Sequence, residues 1–319
     1  MRLGVVVLNW NGLEVTPLCL NSLLKSTRQP DLIVVVDNAS TDGSVDLIRQ
    51  QFPQVVLLEN ERNLGFAGGC NVGIRYLLDR HVDFILLLNN DAEVGPNALH
   101  ELMKAAETLP AAAYTGTIYE KKDPGRVWFS GGVIDSFSLV ARHFTEPPTD
   151  STAARSTEFI TGCCLLFRSD ALKTIGLLDT CFFAYYEDVD WCLRARVAGS
   201  RLLYVPQATI YHEVSHSFRR AGSNRDRSPR FSWAQKTPLV LFLTYRNRLL
   251  LYRRHSHGLI HKMFLFAKCG ARAALHVTLL TITGQFDRAR AVATGYRDGC
   301  LGAPPTYGIS RFLGKPVRK

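Results

Sequence analysis

The sequence has no Cys-x-x-Cys pair, no cleavage pattern of a signal peptide behind its first residues, no apolar run of twenty and, past residue 200, almost no acidic side chains. Each absence excludes something. The eight cysteines, Cys19, Cys70, Cys163, Cys164, Cys181, Cys192, Cys269 and Cys300, lie singly in apolar surroundings apart from one adjacent pair. A zinc ribbon or redox motif is therefore unsupported, and a reducing cytoplasm is expected. The longest apolar stretches of the basic part, 239–244 and 273–286, fall short of the roughly 20 residues a spanning helix needs, so surface association is expected rather than spanning. No internal repeat occurs.

What is present is the composition of a folded globular protein, with 46% hydrophobic and 21% charged residues, which argues against disorder and against collagen-like or coiled-coil polymers. The 319 residues suit one large α/β domain, or a domain of about 200 residues with an appendage. Charge divides the chain. Residues 1–200 hold 17 Lys and Arg against 24 Asp and Glu, a balance of −7, whereas residues 201–319 hold 21 against 4, a balance of +17. A segment so basic faces a membrane surface, a polyphosphate lipid or nucleic acid, unless it is a solvated face or a helical homodimer interface. Nucleic acid is the least favoured, because no helix-turn-helix, zinc finger or RNP-like aromatic pattern accompanies the basic residues.

Four short, nearly continuous apolar runs, 3–8, 32–36, 55–58 and 83–88, read as parallel strands buried on both faces. Helical segments 13–26, 43–51 and 68–80 separate them, the last following a glycine-rich turn, and this alternation implies a doubly wound sheet. From about 113 the pattern changes to antiparallel-looking pieces at 113–119, 127–134 and 158–167, with a loop over 145–157. Helices are expected from Ser169 and over Glu187–Ala198, a strand over 201–205, amphipathic helices over 237–254 and 261–283, and an irregular tail beyond Gly299. The expected division is a catalytic part, 1–217, split into 1–110 for a nucleotide and 111–217 for an acceptor, followed by a basic, mainly helical region, 218–319.

In a doubly wound sheet, ligands sit beyond the carboxyl ends of the strands. Those ends read Asn9-Trp10-Asn11-Gly12, Asp37-Asn38-Ala39-Ser40-Thr41-Asp42, Glu59 to Gly69, and Asn89-Asn90-Asp91. Asp91 suits a hard divalent cation, which takes oxygen ligands and keeps positions open for diphosphate; it equally suits capping the helix that starts near Pro96. Asp37 can accept hydrogen bonds from a nucleotide ring or ribose, or close an Asx-turn with Asn38. The run from Arg62 to Gly73 can offer backbone N–H groups to a ligand, although it is neither a dinucleotide fingerprint nor a P-loop. Asp188, in a first helical turn, can be a general base or an ordinary helix stabiliser. His212, at a strand end, can ligate a metal or be structural.

Taken together, these residues resemble the inverting glycosyltransferase family 2, of GT-A fold, and within it the rhamnosyltransferase-like branch. The matching pieces are Val7-Leu8-Asn9-Trp10-Asn11, the run Val36 to Ser44, the run Asn63 to Gly73, Leu88-Asn89-Asn90-Asp91-Ala92, Thr161-Gly162, the run Glu187 to Arg194, and His212. The resemblance implies a mixed, mainly parallel sheet flanked by helices. It also implies that Asn9, Asp37, Asn63, Gly69, Asn90 and Asp91 hold a nucleotide-diphosphate sugar, that Asp91 and His212 bind Mg²⁺ or Mn²⁺, and that Asp188 is the catalytic base. Asn89 and Asn90 stand where many members carry aspartates, leaving one acidic ligand in this element. The expected reaction is transfer of a sugar, L-rhamnose from dTDP-rhamnose first, to a hydroxyl of a saccharide or polyprenyl-diphosphate-linked acceptor during cell-surface polysaccharide synthesis. A UDP-hexose, UDP-galactofuranose or GDP-mannose donor is the alternative. The basic C-terminal region would hold such an enzyme peripherally against the inner face of the plasma membrane.

Overall fold

Runs of valine, isoleucine and leucine without alternation fit only strands covered on both sides. In the computed structural model, which describes residues 1–146, 153–213 and 236–304, they form β1 (Leu3–Asn9), β2 (Leu32–Asp37), β3 (Val56–Glu59) and β4 (Phe84–Asn89). All are parallel, with β1 between β2 and β4 and β3 outside β2. The crossovers are α1 (Thr16–Leu24), α2 (Ser44–Gln51) and α3 (Gly65–Leu78). The chain steps outward from β1 to β3 and then returns to the far side of β1, so the order reverses between β1 and β4. A crevice opens where such an order reverses, here at the carboxyl ends carrying Asn9 and Asn89.

The glycine-rich run is not a turn before a helix, as the sequence suggested, but the first half of α3 itself. Its glycines serve packing. A Cβ on Gly69 would stand 2.3 Å from Leu8 Cδ1, and one on Gly73 would stand 2.6 Å from Val6 Cγ1. Helix and sheet therefore approach more closely than any side chain allows at these two positions.

The second half of this unit contributes β5 (Ala92–Val94), α4 (Ala98–Thr108), β6 (Ala113–Glu120), β7 (Asp123–Phe129), β8 (Gly132–Ile134), β9 (Ala141–His143), β10 (Arg155–Thr157), β11 (Cys164–Arg168), α5 (Ser169–Ile175), α6 (Glu187–Val197) and β12 (Leu202–His212). A ten-stranded sheet results, in the order β10-β12-β6-β11-β4-β1-β2-β3, with β5 on β12 and β7 on β6; β8 and β9 pair separately. Of the apolar stretch 158–167 only the part from Cys164 is strand, because antiparallel pairing with β4 begins at Cys164 opposite Leu88. The strand expected over 201–205 runs on to His212 through a register shift between Val205 and Thr209, where Pro206 has no N–H to give the ladder. It lies parallel to β6 and antiparallel to β5, so this half is mixed rather than antiparallel. The expected loop over 145–157 holds the strand β10, and its residues 147–152 lie outside the described residues.

A first compact unit comprises Met1–Asp135, Val140–Thr180 and Glu187–Val214; a second comprises Ser136–Leu139, Cys181–Tyr186 and Ser215–Lys319. The second unit contains α7 (Pro238–His255), α8 (Gly258–Ile282) and α9 (Phe286–Leu301). Thr237 caps α7 by accepting from Val240 N at 3.4 Å. On α9, a Cβ at Gly295 would meet Phe242 O of α7 at 2.4 Å, so glycines again permit close packing. The sequence did not reveal α9, whose arginines and glycines interrupt any apolar stripe, and it continues past Gly299 to Leu301. The basic end, Lys315–Lys319, lies outside the described residues. Counting apolar runs also undervalued α8. Its 25 residues are, by length and composition, enough to cross a membrane, with a mean hydropathy of 1.3 and only 28% of the apolar window buried. Charged residues end an apolar run but not a helix.

Candidate active site

The ends of β1 and β2 are knitted together. Asn9 is fully buried, and its Nδ2 lies within hydrogen-bonding distance of Asp37 Oδ1 at 2.7 Å, Ser44 Oγ at 2.9 Å and Ser40 Oγ at 3.1 Å. Its Oδ1 accepts from Thr16 Oγ1 at 2.7 Å, and that hydroxyl in turn accepts from Asn90 Nδ2 at 3.0 Å. Asp37 also accepts from Ser40 N at 2.9 Å and Ser40 Oγ at 2.6 Å. Ser40 and Asn9 together thus take most acceptor positions of the Asp37 carboxylate, which fixes the loop after β2. Asn38, buried beside it, donates to Gly65 O at 3.0 Å and accepts from Asn60 Nδ2 at 2.9 Å, while Asn63 Oδ1 accepts from Gly65 N at 2.8 Å. The loop before α3 is thereby tied to the end of β2, with Gly69 buried behind it. Thr16, Ser40, Ser44 and Asn38 carry much of this bracing. A hydroxyl or amide in a loop has no periodic signature in the sequence that would reveal such bracing.

Asp91 follows β4 and is brought to His212 by strand register. The antiparallel pairing of β12 with β5 sets His212 opposite Ala92, and Glu213 N donates to Asp91 O at 3.0 Å. His212 Nε2 then lies 3.1 Å from Asp91 Oδ1, both side chains about nine-tenths covered. Trp128 of β7 packs edge-on against the imidazole, ring centres 4.9 Å apart. Among the described residues, His212 Nδ1 is buried without a hydrogen-bond partner.

These two groups fit a divalent cation. A carboxylate oxygen and an imidazole nitrogen 3.1 Å apart are spaced as two adjacent ligands of an octahedral ion with bonds of about 2.1 Å would be. No group of three or more His, Cys, Asp and Glu residues is poised for a metal among the described residues. Such a pair therefore suits an ion that completes its shell with ligand oxygens and water, as Mg²⁺ and Mn²⁺ do.

Asp188 opens α6. Its Oδ2 accepts from Gly162 N at 3.0 Å and its Oδ1 from Val189 N at 2.8 Å. Gly162 precedes Cys163, whose carbonyl accepts from Asn89 N at 3.0 Å. Two consecutive residues thus link Asp188 to the end of β4, and consecutive Cα atoms are only about 3.8 Å apart. Burial raises the pKa of Asp188, while the N–H groups of Gly162 and Val189 pull it down. Its neighbour Glu187 is 5% exposed, with Oε2 buried and unpartnered among the described residues. Burial first, and the charge of Asp188 second, push the Glu187 carboxyl well above its ordinary range. Backbone N–H groups of Gly162 and Val189 thus answer the Asp188 carboxylate, whereas Glu187 Oε2 has no partner among the described residues. The sequence placed both acids together but did not separate them, since burial is a property of the fold.

The remainder of that motif is structural. Asp190 is fully buried and pairs with Arg194 at 2.8 Å; Arg194 also donates to Ile175 O at 2.7 Å and Leu177 O at 2.8 Å. Trp191 Nε1 donates to Gly176 O at 2.9 Å, and Asn71 Nδ2 of α3 donates to Leu178 O at 2.7 Å. Together they hold the loop after α5, from which the chain leads on to α6.

Comparison with known proteins agrees with this arrangement. The profile of the family described as Glycosyl transferase family 2 matches residues 4–176. The chain is 30% identical over 220 residues to an N-acetylglucosaminyl-diphospho-decaprenol L-rhamnosyltransferase of Mycobacterium tuberculosis, covering 62% of this chain and 71% of the relative. It is 23% identical over 265 residues to the dTDP-rhamnosyl transferase RfbF of Shigella flexneri, covering 83% and 84%. Among solved structures, the mannosyltransferase PcManGT of Pyrobaculum calidifontis in complex with GDP-Man and Mn²⁺ superposes with a TM-score of 0.51 at 15% identity, over 94% of this chain and 87% of that one. The strand order, the crevice between β1 and β4 and these similarities lead to one conclusion: the chain belongs to glycosyl transferase family 2, in its rhamnosyltransferase-like branch, and has the GT-A fold.

Proposed function

We propose that this glycosyltransferase moves a sugar from a nucleotide-diphosphate donor with inversion, using Asp188 as the base. The observation that supports the reading is the Asp188 carboxylate at the start of α6, which accepts from Gly162 N and Val189 N and is tied through Gly162 and Cys163 to the end of β4. In the transfer, Asp188 takes the proton of an acceptor hydroxyl as its oxygen bonds to the anomeric carbon from the face opposite the diphosphate. The bond from that carbon to the diphosphate oxygen breaks, and the nucleoside diphosphate leaves with its electron pair. A raised pKa suits Asp188 to this work, because a base is most effective when its pKa approaches the operating pH.

Asn9, Asp37, Asn63, Gly69, Asn90 and Asp91 would position the donor, Asn9, Asp37 and Gly69 by shaping the loops and the others from the crevice rim. Asp91 and His212 would hold Mg²⁺ or Mn²⁺, whose charge offsets that of the leaving diphosphate. In the first unit, 1–110 would serve the nucleotide and 111–217 the acceptor.

L-rhamnose from dTDP-rhamnose is the favoured donor because both relatives named above carry rhamnosyl transfer in their names. A UDP-hexose, UDP-galactofuranose or GDP-mannose remains the alternative, since the Pyrobaculum neighbour binds GDP-Man. The acceptor would be a saccharide hydroxyl, free or on a polyprenyl diphosphate, as in the Mycobacterium relative's name. The region 218–319 would rest on an anionic inner membrane leaflet, its basic side chains drawn to the headgroups.

The test is Asp188→Asn with the donor fixed first by a thermal-shift screen of nucleotide sugars in Mn²⁺. Turnover should fall by about 10²–10⁴-fold while donor affinity stays within twofold, and near-normal turnover would overturn the assignment of the base.

A further inference from the structure

The backbone of His212 is fixed on both sides. β12 sets it beside Glu120 of β6 and opposite Ala92 of β5, and its carbonyl accepts from Lys121 N at 2.9 Å. The strand ladders thus decide where its Cα stands and leave the imidazole torsions to side-chain contacts. The torsion that turns a histidine ring is broad and roughly two-fold. A half-turn about it exchanges a ring nitrogen for a carbon, so a ligand ring must be held against rotation as well as held in place. The contact of Nε2 with Asp91 Oδ1 does not do this once a cation is bound, because the cation replaces the proton those two atoms share.

Trp128 supplies a contact of the required kind. Its ring meets the His212 imidazole with centres 4.9 Å apart and planes at 61°, within the edge-to-face range that aromatic rings favour. The strand is built to reach that far. β6 runs between β7 and β12, so Trp128 touches a residue two strand spacings away, each of about 4.8 Å. Val127 pairs with Tyr119 and Phe129 with Ile118, so one step along β6 faces two along β7, and Trp128 is the extra residue of a β-bulge. Its neighbours Val127 and Phe129 are buried, while Trp128 is half-buried. A bulge re-aims the side chain it carries, and such bulges gather beside active sites.

Trp128 is itself braced. The His143 ring of β9 meets it edge-on, centres 4.9 Å apart and planes at 82°, and His143 packs in turn against Phe129 at 5.0 Å and Phe159 at 5.6 Å. Backbone bonds lace β9 to the residues that follow β7. Ser130 N donates to Phe144 O and Phe144 N to Gly131 O, both at 2.9 Å. The bulge, the laced strand and these rings form one packed backing for the His212 imidazole.

We infer that Trp128 is a positioning residue of the metal site, acting through His212 by keeping Nε2 turned toward Asp91 and the ion they share. The inference rests on the reading of Asp91 and His212 as a cation pair and deepens it.

Electron paramagnetic resonance of Mn²⁺ titrated into the full chain tests this in wild type, Trp128→Ala, His212→Ala and the double variant. Trp128→Ala should lose about three- to tenfold in Mn²⁺ affinity, the weight of one aromatic contact. In the His212→Ala background the same substitution should have no further effect, because the group it acts through is gone. Equal losses in both backgrounds would mean a general loosening of the fold and would overturn the positioning role. So would wild-type affinity in Trp128→Ala when His212→Ala has weakened binding. Long-range proton–nitrogen correlation spectra of the metal-free protein read the ring without any metal. The His212 ring signals, identified by their absence from His212→Ala, should be single and sharp in wild type and doubled or broadened in Trp128→Ala; equally sharp single signals in both would overturn the inference. Wild-type Mn²⁺ affinity in His212→Ala would instead overturn the ligand reading on which the inference rests.

Discussion

Glu187→Gln should make the protein more stable at neutral pH and leave it no more stable near pH 4.5. Glu187 is 5% exposed, its Oε2 has no partner among the described residues, and burial beside Asp188 raises its pKa well above the ordinary 4.5. A group whose pKa is raised by folding contributes stability that is fully present below its unfolded pKa. That contribution is lost as pH rises from about 4.5 through the folded value, because the unfolded carboxyl ionises freely while the buried one resists. Each unit of that window costs about 1.4 kcal/mol. Glutamine has the same shape and does not titrate, so the variant should gain on the native protein by that amount for each pH unit within the window, seen as a difference in melting temperature that widens as pH rises. Melting curves of both proteins from pH 4.5 to 8 measure the difference directly, and acid effects common to both cancel. Transfer should survive in Glu187→Gln, since the amide keeps the shape of the side chain and Asp188 is left to act as the base. Parallel melting curves across the pH range, or a variant as inactive as Asp188→Asn, would refute the division of roles between the two carboxyls.

Replacing His212 by Ala should weaken Mn²⁺ binding by about tenfold or more, and Asp91→Ala should weaken metal and donor binding together; calorimetric Mn²⁺ titrations that match wild type would count against the pair as ligands. Asn247→Ala should destabilise the second unit. Its Nδ2 lies 2.7, 2.8 and 2.9 Å from the carbonyls of Phe182, Ala184 and Tyr185. It thereby holds a segment in which Phe183, Tyr185 and Tyr186 sit at φ of 60°, 68° and 74°. The loss should be about 2–4 kcal/mol in denaturant unfolding, and a loss below about 1 kcal/mol would mean the segment holds its shape unaided. Gly69→Ala should cost about 1–3 kcal/mol by overpacking, because its Cβ would meet Leu8 Cδ1 at 2.3 Å and Asn38 Nδ2 at 2.9 Å; unchanged unfolding would show that α3 can retreat from the sheet.

The parallel half of the sheet was open to reading because its signal is local. Continuous apolar runs mark strands covered on both faces, and the polar residues closing each run, from Asn9 to Asp91, fall at the edge where ligands bind in such folds. The seven short motifs sufficed for the family. Other features depend on where distant segments meet. His212 reaches Asp91 across 121 positions of sequence only because β12 pairs antiparallel with β5, and no local pattern encodes that register. The glycines of α3 looked like a ligand-binding turn until Leu8 and Val6 were seen behind them. Glu187 and Asp188, two adjacent acids of nearly equal intrinsic strength, are told apart by the N–H groups of Gly162 and Val189 that reach Asp188. The sequence by itself determined the order of the elements, the chemistry at the strand ends and the charge of the last 119 residues. Only the tertiary structure decided which polar groups touch and which lose their water, because contact and desolvation belong to the packed chain and not to any one stretch of it.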